Sequence, residues 1–395
     1  MLELIQKFRP RIRQASAIGI TISMINACGG GGSADTATNA TTPTEVASVL
    51  TLKFDAIDNY AAPTLPAYYD ATVTALDNTP PGNPVTDTGA TLGRVLFYDK
   101  NLSINNRIAC ADCHIPAQGF SDTHRFSVGF SGNAFTTAHA IQLGNARYFR
   151  PGTAFWDRRA ASLEAQATQP ITNSVEMGFD ATHGNIAAAV SKLQALPYYP
   201  ALFTLAFGDS SVTEARIQDA LAQFERSMIS SNSRWDAGYA STFSAALPRR
   251  GLNIDVPGLS VEENRGRALF MGGVIPGLNC AACHVPPTFA LNANSRSNGL
   301  DAGETTIFKS PSLKNAALAS AFMHDGRFST LAQVVEHYNS GVQAGPALDN
   351  RLLGPGNVPL TLNLSSADKA ALVAFLNTLT DTGFISDTKF SNPFK

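Results

Sequence analysis

Two segments of the chain carry the same reactive pattern, Cys110-Ala111-Asp112-Cys113-His114 and Cys280-Ala281-Ala282-Cys283-His284. Two thiols one helical turn apart can add to the two vinyl groups of a haem, and the adjacent imidazole can then reach the iron, so each unit reads as an attachment site for a c-type haem. Four of the five cysteines are spent in this way. Other chemistries fit less well. Structural zinc would want two closely spaced knuckles and no histidine directly after each. A thioredoxin-like pair belongs on a strand-rich βαβ unit, which neither flank suggests. A disulfide across two residues is a strained closure, and none of these readings uses both histidines.

The elements that must position these groups repeat as well. Gly93-Arg94-Val95-Leu96-Phe97 precedes the first unit and Gly266-Arg267-Ala268-Leu269-Phe270 the second, while Ile115-Pro116 and Val285-Pro286 follow them. This pattern reads as a duplicated small cytochrome domain. Ser260-x-x-Glu263 is a capping box ahead of the second unit, and Ile217, Leu221, Phe224 and Met228 trace one helix face. Ser365-x-x-Asp368 caps a last amphipathic helix through Leu372, Phe375, Leu376 and Leu379. Gly- and Pro-rich loops at 272–277 and 354–359 leave little room for a sheet. The fold expected is mainly α, two c-type cytochrome domains packed with a haem in each: an N-terminal haem domain over 51–245 and a C-terminal haem domain over 246–380, with 381–395 a tail.

The start of the chain reads as an export signal over 1–27. Lys7, Arg9, Arg11 and Arg13 precede an apolar stretch from Ala15 to Ala27 that is too short for a spanning helix. Ile25-Asn26-Ala27-Cys28 resembles a lipoprotein box, with Cys28 as the lipidated residue and 28–50 as a flexible tether of Gly, Ser, Thr and Ala. An ordinary cleaved signal is the alternative, and both place the protein in the periplasm or cell envelope. With a net charge of −2 over 395 residues, nothing basic remains to grip nucleic acid.

Between the two haem units lies Phe155-Trp156-Asp157-Arg158-Arg159, then Gln166, Pro170 and Asn173-Ser174-Val175-Glu176-Met177-Gly178. Ser310-Pro311-Ser312-Leu313-Lys314-Asn315 and Phe322-Met323-His324-Asp325-Gly326-Arg327 follow later. Here the chain resembles the bacterial dihaem cytochrome c peroxidase family, in its MauG-like branch, whose Trp, Gln and Glu stand ten residues apart as Trp156, Gln166 and Glu176 do. The resemblance implies a haem peroxidase that reduces hydrogen peroxide at the N-terminal haem with electrons relayed through the C-terminal one. It implies that Glu176 moves the proton during O–O cleavage, that Gln166 orients peroxide or water, and that Trp156 relays charge between haems. By residue type alone Glu and Gln are more often solvated, and Trp more often fills a core.

The same resemblance sets the remaining expectations. A small c-type cytochrome or cupredoxin would donate electrons; alternatively, Trp or Tyr side chains of a partner protein would be oxidised. A non-catalytic electron carrier is the reading from another class. Phe130 stands where the family's peroxidases place a displaceable distal His, which implies an open first haem, although His124 and His139 are near in sequence. His139, Ala319 and Ala321 replace the residues that frame the family's calcium ion, which puts calcium in doubt. Tyr338, fourteen residues after His324, falls where MauG-type enzymes carry a ligating Tyr, with Met323 the alternative. As the last residue of the apolar face Leu331, Val334, Val335, Tyr338, it could equally be a core aromatic. His324 is expected against the second haem pocket, and His183 and His337 on the surface.

Overall fold

The computed structural model describes residues 41–395. Its architecture is two helix pairs, one for each copy of the sequence repeat. In the first pair, the Asp87–Tyr98 helix crosses the Glu214–Ser227 helix; in the second, Val261–Met271 crosses Ser366–Asn377. Each start is capped by a hydroxyl, Thr86, Thr213, Ser260 and Ser365 accepting from the backbone N–H of Gly89, Arg216, Glu263 and Asp368.

The repeated glycine explains the close crossings. A Cβ on Gly93 would lie 2.0 Å from the carbonyl oxygen of Ala220, and one on Gly266 would lie 1.8 Å from that of Ala371. Only hydrogen fits at either crossing. The repeated arginine is buried beside it: Arg94 donates to the Ser391 carbonyl at 2.7 Å and pairs with Asp58, and Arg267 donates to the Leu252 carbonyl and pairs with Asp255. The repeated Phe97 and Phe270 pack edge-on or tilted against Phe224 and Phe375, at 5.3 and 5.2 Å between ring centres.

Two apolar cores result, and the chain crosses between them. The first gathers Val95, Phe97, Ile217, Leu221, Phe224 and Met228, so the helix face read from the sequence is its wall. The second gathers Leu269, Phe270, Leu372, Phe375, Leu376 and Leu379. Tyr68, Tyr69 and Tyr148, from early in the chain, pack into the second core, while Phe384 and Phe390, from its end, pack into the first. The segment expected as a tail is therefore wall material: Tyr98 donates its hydroxyl to the Phe390 carbonyl at 2.5 Å.

The tether also ends sooner than its composition suggests. Thr44–Val49 is helical, and Val46 and Leu50 are buried in the first core, because two apolar residues four apart are enough to dock a short helix. Cys28 and the export signal lie outside the described residues. Regular sheet among the described residues is one two-stranded ladder, His284–Val285 with Ala290–Leu291, directly after the second haem unit.

Candidate functional site

Each Cys-x-x-Cys-His unit lies a loop beyond the first helix of its pair, with Cys110 packed against the first core and Cys280 against the second. Cys110–Cys113 is a single helical turn, with Asp112 accepting from the Ala109 N–H at 2.7 Å to fix its start. Burial pushes the Cys113 thiol up to about 12, and Cys110 higher still, with the carboxylates of Glu225 and Glu176 adding to the effect on Cys110. His114 donates from Nδ1 to the Phe120 carbonyl at 3.0 Å, which leaves Nε2 as the free nitrogen. Burial lowers the imidazole's affinity for a proton and so keeps it in the neutral form that binds metals.

The second unit opens onto a large cavity with about 1760 Å³ of empty space, its mouth included. Cys280, Cys283 and His284 form part of the wall, with Phe270, Leu372 and Leu376 from the second helix pair. Nδ1 of His284 is buried with no hydrogen-bond partner, and burial drives its pKa down to about 4. A neutral imidazole, two free thiols and an apolar slot fit a haem, and a similar set of Cys110, Cys113 and His114 fits one in the first half.

Tyr338 and Met323 line the same second cavity. The helix at Leu331–Glu336 widens into a π-helical turn over His337–Gly341, which carries Tyr338 into the cavity wall. Burial raises the Tyr338 phenol, Asn298 lowers it by a hydrogen bond, and the thiols of Cys283 and Cys280 face it. Met323, at φ +70°, accepts from the Asn298 amide through its sulfur at 3.3 Å. His324 also lines the cavity, stacked 3.8 Å from Phe308. His183 is on the surface beside Asp180, but His337 is buried and bonded to the Asn298 carbonyl at 3.1 Å, contrary to expectation, since the π-turn rotates it inward.

Glu176 occupies a separate polar pocket with Phe155, Arg159, Gln169, Pro170, Thr172 and Asn173. Its backbone N–H is held by Asn173 Oδ1 at 3.1 Å. Gly178, at φ +86°, closes the turn, and a Cβ there would lie 2.7 Å from the Phe130 ring. Burial raises the Glu176 pKa, and the Arg159 guanidinium pulls it back in part. Gln169 lines this pocket and Gln166 is not among its lining residues; the chain breaks at Thr168 between two short helices, and the Gln169 amide donates back to the Ala165 carbonyl at 2.8 Å.

Phe130 stands against the Glu176 segment, its N–H donating to the Val175 and Glu176 carbonyls. Neither nearby histidine faces that pocket. His124 is exposed and paired with Asp122, whereas His139 is buried, its Nδ1 on the His124 and Arg125 carbonyls and its Nε2 2.8 Å from Ser121 Oγ. The His139 ring thus takes up both of those carbonyls and the Ser121 hydroxyl.

Trp156 links the two regions. Its indole N–H donates to the His139 carbonyl at 2.7 Å, and its ring lines the second cavity. The preceding residue, Phe155 at φ +65°, lines the Glu176 pocket. Consecutive residues thus turn one ring to each side.

This pairing of Cys-x-x-Cys-His units with an intervening Trp and a half-buried Glu defines the class. The family model for di-haem cytochrome c peroxidase matches residues 87–242 and 265–377, and the chain belongs to that family. Among its relatives is the methylamine utilization protein MauG of Methylophilus methylotrophus, 33% identical over 318 residues, which span 76% of this chain and 84% of the relative. The cytochrome c551 peroxidase of Nitrosomonas europaea is 29% identical, over 74% of this chain and 79% of its own. Among solved structures, a MauG-like protein associated with microbial copper homeostasis superposes with a TM-score of 0.65 at 28% identity, covering 80% of this chain and 96% of that one.

Proposed function

We propose that the protein is a dihaem peroxidase that reduces hydrogen peroxide at a first haem held by Cys110, Cys113 and His114, using electrons that arrive through a second haem held by Cys280, Cys283 and His284. Thioether links from the four cysteines would fix the groups, each in its own cytochrome-like half. When bound, the haems supply iron centres that take up peroxide and exchange electrons.

The chain's own residues supply the proton handling and the wiring. Glu176 accepts a proton from one peroxide oxygen and delivers it to the other as water leaves, a role suited to a carboxyl whose pKa burial raises. Arg159 keeps that carboxyl ionisable, and the Gln169 amide is placed to orient the substrate, with Gln166 one turn behind. Trp156 offers its ring to electrons crossing between the halves. The observation that carries this reading is the adjacency of Phe155 and Trp156, which puts the Glu176 pocket and the second cavity on neighbouring residues.

Tyr338 favours a second reading of the same site. If Tyr338 held the second haem's iron, its phenolate would stabilise oxidised states, whereas the Met323 thioether would favour the reduced one. A Tyr ligand therefore suits a MauG-type enzyme that oxidises Trp or Tyr side chains of a partner protein. The electron donor in the first reading would be a small c-type cytochrome or a cupredoxin. We place the protein in the periplasm or cell envelope, anchored through a lipid on Cys28; Cys28→Ser should release it from the membrane fraction, and unchanged partitioning would remove the anchor.

Mass spectrometry of the mature denatured chain together with the ferric EPR spectrum before and after peroxide tests the main proposal. Two added haems and a high-spin first centre that reacts with peroxide are expected. Two low-spin centres inert to peroxide would make the protein an electron carrier instead.

A further inference from the structure

The second core holds an aromatic cluster that the proposed reaction does not use. Trp235 stacks on Tyr239 at 4.7 Å between ring centres and 20° between planes; Tyr239 meets Tyr68 at 5.0 Å, Tyr68 meets Tyr69 at 5.4 Å, and Tyr69 meets Tyr148 at 5.4 Å. All five are buried. Trp235 also packs edge-on against Phe289 at 4.9 Å, and Phe289 against Phe270 at 5.7 Å, whose ring lines the cavity of Cys280, Cys283 and His284. A file of oxidisable rings thus begins two phenylalanines behind the second haem site.

Packing alone would explain the rings, since aromatics dominate cores. It does not explain their polar groups. The Tyr68 hydroxyl donates to Asp236 Oδ1 at 2.9 Å in a fully buried setting. The other carboxylate oxygen is saturated: Lys314 Nζ at 2.5 Å, Ser233 N–H at 2.8 Å and Ser233 Oγ at 2.6 Å. Oδ1 is therefore free to take the phenolic proton. Trp235 is the opposite case, for its indole N–H is buried without a partner and the Lys314 ammonium lies 4.9 Å from its ring. An oxidised Trp235 has nowhere to shed a proton and sits beside a positive charge, so it passes the vacancy on. An oxidised Tyr68 loses its proton to Asp236 and becomes neutral, so it keeps it.

We propose that Tyr68 is a redox-active tyrosine, oxidised by the peroxide-treated haem pair through Trp235 and Tyr239 when no external donor supplies the electron. One electron leaves Tyr68 for the oxidised second centre, the phenolic O–H breaks, and its proton moves to Asp236 Oδ1. The inference rests on the peroxidase reading. It gives the protein an internal store for an oxidising equivalent that would otherwise attack the haem or a random side chain.

The test treats the full dihaem protein with one equivalent of hydrogen peroxide and no donor, following haem absorption and EPR on the same samples. Wild type should show a tyrosyl radical whose signal narrows when the tyrosines are ring-deuterated, an arm that needs no substitution. Tyr68→Phe should lose that signal, keep donor-supported turnover, and hold its peroxide-oxidised haem spectrum several-fold longer. Haem oxidation without a tyrosyl signal, or the same signal in Tyr68→Phe, overturns the inference and leaves the peroxidase standing. A haem spectrum that peroxide does not change overturns the peroxidase reading, and this inference with it.

Discussion

Replacing Glu176 by Gln removes the proton acceptor while keeping the shape of the side chain. The structure sets what else should change. Glu176 is held by a backbone bond to Asn173, and among the described residues its carboxylate forms no ion pair, so the fold and both haem sites should survive. The loss should then be that of a general acid–base group, about 10²- to 10⁴-fold in peroxide turnover, or roughly 2.7 to 5.4 kcal/mol of barrier. The pH profile supplies a second signature. The active form is the ionised base, and burial raises its pKa, so wild-type turnover should fall on the acid side at a pH above the usual glutamate range. That limb should vanish in Glu176→Gln. In Arg159→Ala it should move to still higher pH, because the guanidinium lowers the Glu176 pKa. Stopped-flow mixing with peroxide across pH 4 to 9 reads all three proteins. Turnover in Glu176→Gln within about threefold of wild type, with the acid limb intact, would refute the assignment and leave Glu176 a half-buried spectator.

Further predictions concern wiring, ligation and packing. Trp156→Phe should slow oxidation of the second haem after peroxide while leaving first-haem reaction intact; equal rates by stopped-flow absorption would remove Trp156 from the path. Tyr338→Phe should abolish the low-spin signature of the second haem alone, whereas a methionine–iron charge-transfer band in wild type that survives the change would assign Met323. Gly266→Ala drives a methyl into the Ala371 carbonyl and should cost about 1–3 kcal/mol by denaturant unfolding. Acid unfolding should draw on Glu164, whose pKa Arg226 holds near 2 despite burial; its share of stability is full above about pH 4.5 and disappears as pH falls towards 2, a loss that Glu164→Gln should flatten.

The chemistry of haem attachment was legible because it requires five contiguous residues, and no tertiary contact is needed to recognise them. The helix pairs were legible for a related reason. Gly93 and Gly266 announce close crossings, and Ser260 with Glu263 or the face of Ile217, Leu221, Phe224 and Met228 follow local periodicities. What escaped depends on turns and on distant chain. Gln169 lines the Glu176 pocket after a helix break at Thr168, a detail that a ten-residue spacing does not encode. His337 goes inward through a π-turn whose extra residue shifts the helical phase by about 100°. Residues 381–395 lack an apolar stripe, yet Phe384 and Phe390 meet Phe120 from the other end of the sequence. Phe155 carries no motif at all; its place follows from a left-handed backbone.

The exchange of segments between the two cores bears on how the protein is made. Phe384 and Phe390 are synthesised long after Phe97 and Phe224, yet they complete the core that surrounds those two rings. In the opposite direction, Tyr68 and Tyr69 must wait for Phe270 and Phe375 before they can be buried. Each half therefore needs a segment from the far side of the other before its packing is complete, so the two cores close together. Under the proposed attachment, Cys110 and Cys113 would take up their haem while these surroundings are still open, and the finished fold would close over it.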